Sequence, residues 1–306
     1  MRGGVMNNRH MKIFVQVYEK LSMTLAAEAL YISQPSVSQA IKELEEYYGV
    51  RLFERYPKRL YPTPEGDLLY NYCRQILGLY DEAKKDILSL TGKTTISVGA
   101  NISAGTVLIE KYIDRFHEKY PDVRVFVKVA GSSALTNMLT RHQLDFALIE
   151  DLIFDTKLIQ KPFYNDRIVF ICSPDDPMAS KKNIKFDDLR GRDFLLRNRG
   201  VGVRDKFDYL MKLHDIEVEP LWESANTRAL INAAKAGYGI AVLPYLLVRE
   251  DIESGNVAQM DVESEALTRK LNITYHKDKI FNKWSKELID IIESYSEEPG
   301  PDGQSG

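Results

Sequence analysis

The segment from Ser33 to Gly49, SQPSVSQAIKELEEYYG, constrains this chain more than any other. At the 100° step of a helix, Val37, Ile41 and Leu44 stack on one face with Ala40 beside them. The opposite face carries Pro35, Ser38, Gln39 and Lys42. Ser33 has the chemistry of an N-cap and Gly49 that of a C-terminal stop. One side must bury against partners, and the other stays small and polar. Upstream, Met11, Phe14, Val17 and Leu21 recur at helical spacing. Ser22 or Thr24 can cap a short helix through Leu30, in which Ala26 and Ala27 allow another helix to approach; Ile32 follows in a tight turn. A third helix so placed can enter a DNA major groove, which admits one helix and displays a donor–acceptor code. Gln39 suits a base edge and Pro35 a thymine methyl. Ser33, Ser36 and Lys42 suit phosphates, which the helix N-terminus also attracts. Gln34 and Ser38 complete the candidate contacts. Periodicity alone fits the solvated face of an ordinary three-helix bundle equally well.

The next stretch, LFERYPKRLYPTPEG, reads as two short strands about a turn near Pro57–Lys58, a β-hairpin wing. It lies in the densest basic run, Arg51, Arg55, Lys58 and Arg59 against Glu54 alone, so Arg55, Lys58 and Arg59 are its candidate DNA contacts. The net charge of −3 does not advertise a nucleic-acid binder, but its distribution matters more. Residues 1–66 hold nine Lys/Arg against seven Asp/Glu, and the remainder holds 32 against 37. Thr63 then caps a long helix with Pro64 at its first position. Along it Leu69, Tyr72, Ile76, Leu79, Ala83, Ile87 and Leu90 recur at spacings of three and four, a coiled-coil-like stripe expected to pair two copies. A dimer presents two recognition helices to half-sites roughly 34 Å apart, or a multiple of that.

The run AAEALYISQPSVSQAIKELEEYYGVRLFERYPKRLYPTPEG resembles the DNA-binding region of LysR-type transcriptional regulators. The alanine pair, SQPSVS, I-x-x-LE, G-x-x-LFER and T-x-x-G stand in family order, and together they are specific. The resemblance implies a winged helix-turn-helix over residues 6–64 and a dimerising linker helix over 65–92. It implies an α/β effector-binding domain over 93–296, two-lobed like type 2 periplasmic binding proteins, and a flexible tail over 297–306. The implied partners are double-stranded DNA, a small-molecule effector and further copies of the chain, as a dimer or the tetramer common in the family; RNA polymerase is a further candidate. Leu21 replaces a frequent glycine between the first two helices, and Leu25 and Ala29 are more apolar than usual. Tyr56-Pro57, Tyr61-Pro62 and Pro64 depart from the family pattern in ways that read as a change of wing shape.

Beyond Lys93 the pattern changes. TTISVGA, VRVFVKVAG and LDFALIED read as strands separated by helices, an order that argues for parallel strands covered by helices. A second set follows: RIVFICSP, DFLLRN, a helix from about Gly202, EPLW, a helix from Thr227 and AGYGIAVLP, with LTRKLNITYH and the helix NKWSKELIDIIESY closing the chain. The family implies two subdomains, about 93–165 with 268–296 and about 166–267, joined by two crossing strands around a ligand cleft. Ligands of open α/β sheets bind beyond the carboxyl ends of strands, at helix N-termini. The candidates there are Ile102, Ser103 and Ala104; Ser132 and Ser133, after Gly131; Arg197, Arg199, Val201 and Gly202, with Arg204 close by; and Asn226 with Thr227. The serines and Thr227 equally suit helix caps. Helix N-termini near arginines favour a small anion, a carboxylate or another oxyanion.

Competing functions lack sites. H-E-x-x-H, P-loop and G-x-S-x-G motifs are missing, and the five histidines do not cluster with the two cysteines, so neither an enzyme, a metal centre nor a cofactor is expected. A plain solute-binding protein on the same two-lobed scaffold has no use for the SQPSVS helix, and a nucleoid-type binder has none for the second region. No apolar run reaches the ~18 residues of a membrane span. MRGGVMNNRHMK has no apolar core of a secretory signal, which points to the cytoplasm. Cys73 and Cys172 lie in different segments and make no disulfide framework. The tail SEEPGPDGQSG has a disordered composition.

Overall fold

A computed structural model describes residues 6–56, 59–89, 95–150, 153–200, 202–262 and 267–295, without the side chains at 55, 56, 59, 85, 86, 88 and 89. Its contacts divide the chain into two units, residues 1–94 with 140–143, and residues 95–139 with 144–306.

The first unit begins with α1 (Asn8–Lys20), α2 (Met23–Leu30) and α3 (Gln34–Tyr48). Asn7, Ser22 and Ser33 cap them, each side chain accepting from a backbone N–H three residues on, worth about 1 kcal/mol apiece. Leu21 closes α1 at φ 49° and Gly49 closes α3 at φ 69°. That left-handed conformation is free for glycine and costs leucine about 1–2 kcal/mol. The wing is an antiparallel hairpin of β1 (Phe53–Tyr56) and β2 (Arg59–Pro62), with Tyr56 opposite Arg59. Its turn at Pro57 and Lys58 lies outside the described residues. Glu45 Oε1 accepts from the N–H groups of Leu52 and Phe53 at 2.9 and 3.3 Å, fastening the wing to α3.

The long helix α4 (Pro64–Ser89) starts where Thr63 predicts, with Thr63 Oγ1 accepting from Gly66 N at 3.0 Å. A Cβ on Gly66 would stand 2.3 Å from the Leu52 carbonyl oxygen, so only glycine lets α4 pass this close to the wing. The expected stripe on α4 needs a correction. Leu69 is buried, and Ile76 packs half-buried on the same core as Phe14, Val37, Ile41 and Cys73. The first turns of α4 roof the three-helix core and use those two residues inside. The exposed side instead carries Leu68, Tyr72, Leu79, Ala83 and Ile87. Leu90 lies outside the described residues.

The second unit is α/β, as expected. Its first lobe holds β3 (Thr95–Ala100), α5 (Ile102–Val107), α6 (Ile109–Lys119), β4 (Arg124–Val129), α7 (Ser132–Thr140) and β5 (Phe146–Glu150). The long strand β6 (Leu158–Cys172) leads into the second lobe, with β7 (Phe194–Arg197), α8 (Gly202–Leu213), β8 (Pro220–Ser224), α9 (Thr227–Lys235), β9 (Ile240–Pro244), α10 (Tyr245–Glu253) and β10 (Ala258–Gln259). Strand β11 (Thr268–His276) returns, and α11 (Lys283–Tyr295) packs on the first lobe's core.

One sheet runs through both lobes in the order β4-β3-β5-β11-β6-β9-β7-β8, with β10 also on β6. β3 is parallel to β4 and β5, and β7 to β8 and β9; β6 and β11 are antiparallel to each other and carry the sheet across. The first core gathers Ile96, Phe116, Phe146, Ile273 and Leu288, and the second Phe170, Phe194, Phe207 and Val242. The sequence reading starts β6 at Arg167, nine residues late. Leu158–Asp166 mixes polar and apolar residues, and its Pro162 argues against a central strand. Pro162 is tolerated because the register shifts beside it, opposite Leu271 and Asn272.

Candidate nucleic-acid interface and ligand cleft

On α3 the two faces separate as the periodicity requires. Val37, Ala40, Ile41 and Leu44 are buried, whereas Gln34, Pro35, Gln39 and Lys42 are exposed and Ser36 and Ser38 partly so. Tight burial of one face fixes the direction in which the polar face points. Ser33 is exposed; its Oγ caps Ser36 N at 3.4 Å and lies 2.8 Å from Ser36 Oγ. Lys42 makes an exposed i,i+4 pair with Glu46 at 3.5 Å, too weak to keep it from a phosphate. Gln39 Nε2 donates to Glu43 Oε1 at 3.0 Å. Arg55 and Arg59 sit on the wing strands, their side chains undescribed, and Lys58 lies outside the described residues.

The cleft residues come from the ends of strands and starts of helices. The caps, however, are asparagines. Asn101 Oδ1 accepts from Ala104 N at 2.9 Å, and Asn226 Oδ1 from Arg228 N at 3.0 Å. Ser103 and Thr227 therefore lie just inside α5 and α9, and their hydroxyls are available for other work. Ser132 and Ser133 open α7, Ser133 exposed. Ile102 is 38% exposed, while Ala104 is fully buried in the first lobe's core and is corrected from a ligand contact to a packing residue.

Of the buried arginines in this unit, Arg269 and Arg197 each hold a hydroxyl among the candidate ligand residues, and they differ. Arg269, on β11, was missed as a site residue although it shares a strand face with Leu271 and Ile273, the signal that it must point inward. Its Nε donates to Asp166 Oδ2 at 2.8 Å, its Nη1 to Glu150 Oε2, and its Nη2 to Ser103 Oγ at 2.9 Å. Asp166 Oδ1 also accepts from Leu246 N of α10 at 3.1 Å, so this network ties elements of both lobes. Ser103 is thereby engaged by the protein itself.

Arg197 ends β7 at 6% exposure, and its Nη1 donates to Thr227 Oγ1 at 2.6 Å. Its Nε is buried without a partner, and among the described residues no carboxylate lies within ion-pair distance of its guanidinium. Burial holds it below the usual arginine range; the field of Glu150 offsets this and that of Arg269 adds to it. A buried guanidinium with unused donors has the charge and geometry to take an oxyanion.

The other arginines of this loop go elsewhere. Arg204 is buried and structural, donating to Asp208 at 2.7 Å, Glu223 at 3.1 Å and the Arg197 carbonyl at 3.0 Å. Arg199 is exposed and lines a groove of about 740 Å³ on α8 with Arg204, Lys212, Asp205, Asp208, Asp215 and Glu217, a setting of mixed charge. Gly202 opens α8, and Val201 lies outside the described residues. Both cysteines are buried; desolvation pushes the Cys73 thiol up to about 12 and the Cys172 thiol up to about 11. Among the described residues no cluster of His, Cys, Asp and Glu could hold a metal, and no helix is long and apolar enough to cross a membrane.

Comparison with known proteins matches residues 8–67 to the bacterial regulatory helix-turn-helix protein, lysR family, and residues 91–296 to the LysR substrate binding domain. The HTH-type transcriptional regulator CysL of Bacillus subtilis is 28% identical over 281 residues, covering 91% of this chain and 94% of CysL. Among solved structures, CbnR, a LysR family transcriptional regulator, aligns with a TM-score of 0.67 at 18% identity over 95% of this chain and 99% of its own. A full-length cysteine variant of OxyR from Pseudomonas aeruginosa aligns at 0.66 and 20% identity, covering 96% of this chain and 95% of that one.

Proposed function

The chain belongs to the LysR family of DNA-binding, effector-responsive transcriptional regulators, and from that premise we propose how its own residues divide the work. Gln39 and Pro35 read base edges in the major groove. Ser33, Gln34, Ser36, Ser38 and Lys42 hold the backbone, with the wing residues Arg55, Lys58 and Arg59 beside them. The observation that carries this reading is the asymmetry of α3, polar and uncovered on one side and fully buried on the other. The exposed residues Leu68, Tyr72, Leu79, Ala83 and Ile87 of α4 pair two copies; the tetramer and a contact with RNA polymerase extend the same reading, in the cytoplasm and without a catalytic role.

The effector is a small anion held in the cleft by Arg197 and Thr227, with Asn226, Ser132, Ser133 and Ile102 around it. The unmatched charge of Arg197 supports this reading. Anion binding alters the operator complex with a coupling of ~1–3 kcal/mol. In duplex-binding assays, Gln39→Ala relaxes base preference while Lys42→Ala weakens binding to all sequences alike. Equal loss on operator and random DNA in Gln39→Ala removes the base-reading role. Calorimetric titration of the full chain with small anions and neutral metabolites tests the effector; preference for a neutral compound overturns the anion.

A further inference from the structure

The recognition helix carries an acid on a side that must approach phosphates. Glu43 lies one turn beyond Gln39 on α3, with 45% of its side chain exposed. Its Oε1 accepts from Gln39 Nε2 at 3.0 Å, and its Oε2 lies 3.0 Å from His10 Nε2 on α1. The His10 side chain is 15% exposed, and its Nδ1 is buried without a partner. With the proton on Nε2 the ring donates to Glu43 and leaves only a bare lone pair at Nδ1. The other tautomer sets two acceptors face to face and buries an N–H without an acceptor, the costlier arrangement. The hydrogen bond from Gln39, then that from His10, holds the Glu43 carboxyl below the usual carboxylate range.

We propose that Glu43, braced by His10, is a positioning residue for base readout: it fixes which way the Gln39 amide faces. One Nε2 hydrogen goes to Glu43. The Oε1 acceptor and the second Nε2 hydrogen remain, and no protein group among the described residues engages Oε1. An acceptor beside a donor complements N6–H and N7 of adenine in the major groove, whereas guanine offers two acceptors there. Gln39 therefore selects an A·T pair, and Glu43 keeps its amide from turning over. This inference rests on the base-reading role given to Gln39 above.

The test uses the full chain. Selection from random duplexes defines a preferred site, and anisotropy titrations compare that site with its single-pair variants. At the pair relaxed by Gln39→Ala, Glu43→Ala loses about tenfold of the discrimination for A·T, with the protein still folded by circular dichroism. His10→Ala loses part of it. Glu43→Gln keeps an acceptor for Gln39 but not a second one for His10, and drops the charge, so it loses no more discrimination than His10→Ala and binds all sequences more tightly. If Glu43→Ala keeps full discrimination while Gln39→Ala loses it, the positioning role is wrong and the reading of Gln39 stands. If Gln39→Ala itself leaves the preference unchanged, the reading beneath the inference fails. Equal loss in Glu43→Ala and Glu43→Gln would assign the effect to charge and overturn positioning.

Discussion

The recognition helix and the cleft both place polar groups for a ligand, yet they do so in opposite ways. On α3 the working side chains are neighbours in sequence, exposed, and fixed from behind by a buried apolar face. In the second unit the charged groups come from β5, β6, β7 and β11 and are themselves buried. An exposed polar face needs nothing from the rest of the chain except support. A buried one must be satisfied internally or await a partner, and the two cleft arginines illustrate the two cases.

The largest expected effect tests the first case. Arg269→Leu leaves Glu150 and Asp166 buried without their cation and lowers unfolding free energy by about 3–5 kcal/mol, read from urea titration. A loss below about 1 kcal/mol would mean the network is not what holds that region. Arg197→Met tests the second case. It removes a buried cation that has no carboxylate partner, so the urea midpoint stays level or rises while anion affinity, by calorimetry, falls roughly 10–100-fold. A large stability loss there would erase the distinction between the arginines.

A smaller effect compares the units' backbones. Leu21→Gly relieves a left-handed leucine that is 46% exposed, so the thermal midpoint of the first unit rises by an amount worth about 1 kcal/mol. The smallest effect is expected of the thiols. With both pushed far above their ordinary range, the reactive thiolate is scarce at pH 8; iodoacetamide should leave native protein unlabelled and label both cysteines in urea. For such raised groups the contribution to stability is intact below the ordinary thiol range and is lost as pH climbs toward 11 and 12. Rapid native labelling of either would reopen a redox role.

The same contrast explains what the sequence reveals. Helix α3, its cap at Ser33, its stop at Gly49, the wing and the start of α4 are local, so spacing and capping chemistry expose them. Leu69 and Ile76 were misassigned because a stripe of apolar residues does not say which core it faces, and α4 serves its own unit first. In the cleft, loops at strand ends are legible from the α/β pattern, but partners are not. That Arg204 is neutralised by Asp208 and Glu223, that Arg269 takes Ser103, and that Arg197 has no carboxylate at ion-pair distance among the described residues depend on residues up to 166 positions apart. The inward position of Arg269 was readable from strand alternation; its ion partners were not.

The depth of Arg197 and Arg269 has a practical consequence in ionic strength. Exposed charges on α3 are screened beyond about 8 Å at 0.15 M salt, and phosphate contacts weaken steeply as counterions rise. Groups at 1–6% exposure feel that screening far less. Concentrated sodium chloride should therefore strip this chain from DNA while its sensor still holds a bound metabolite, and a high-salt preparation is where that molecule is best sought.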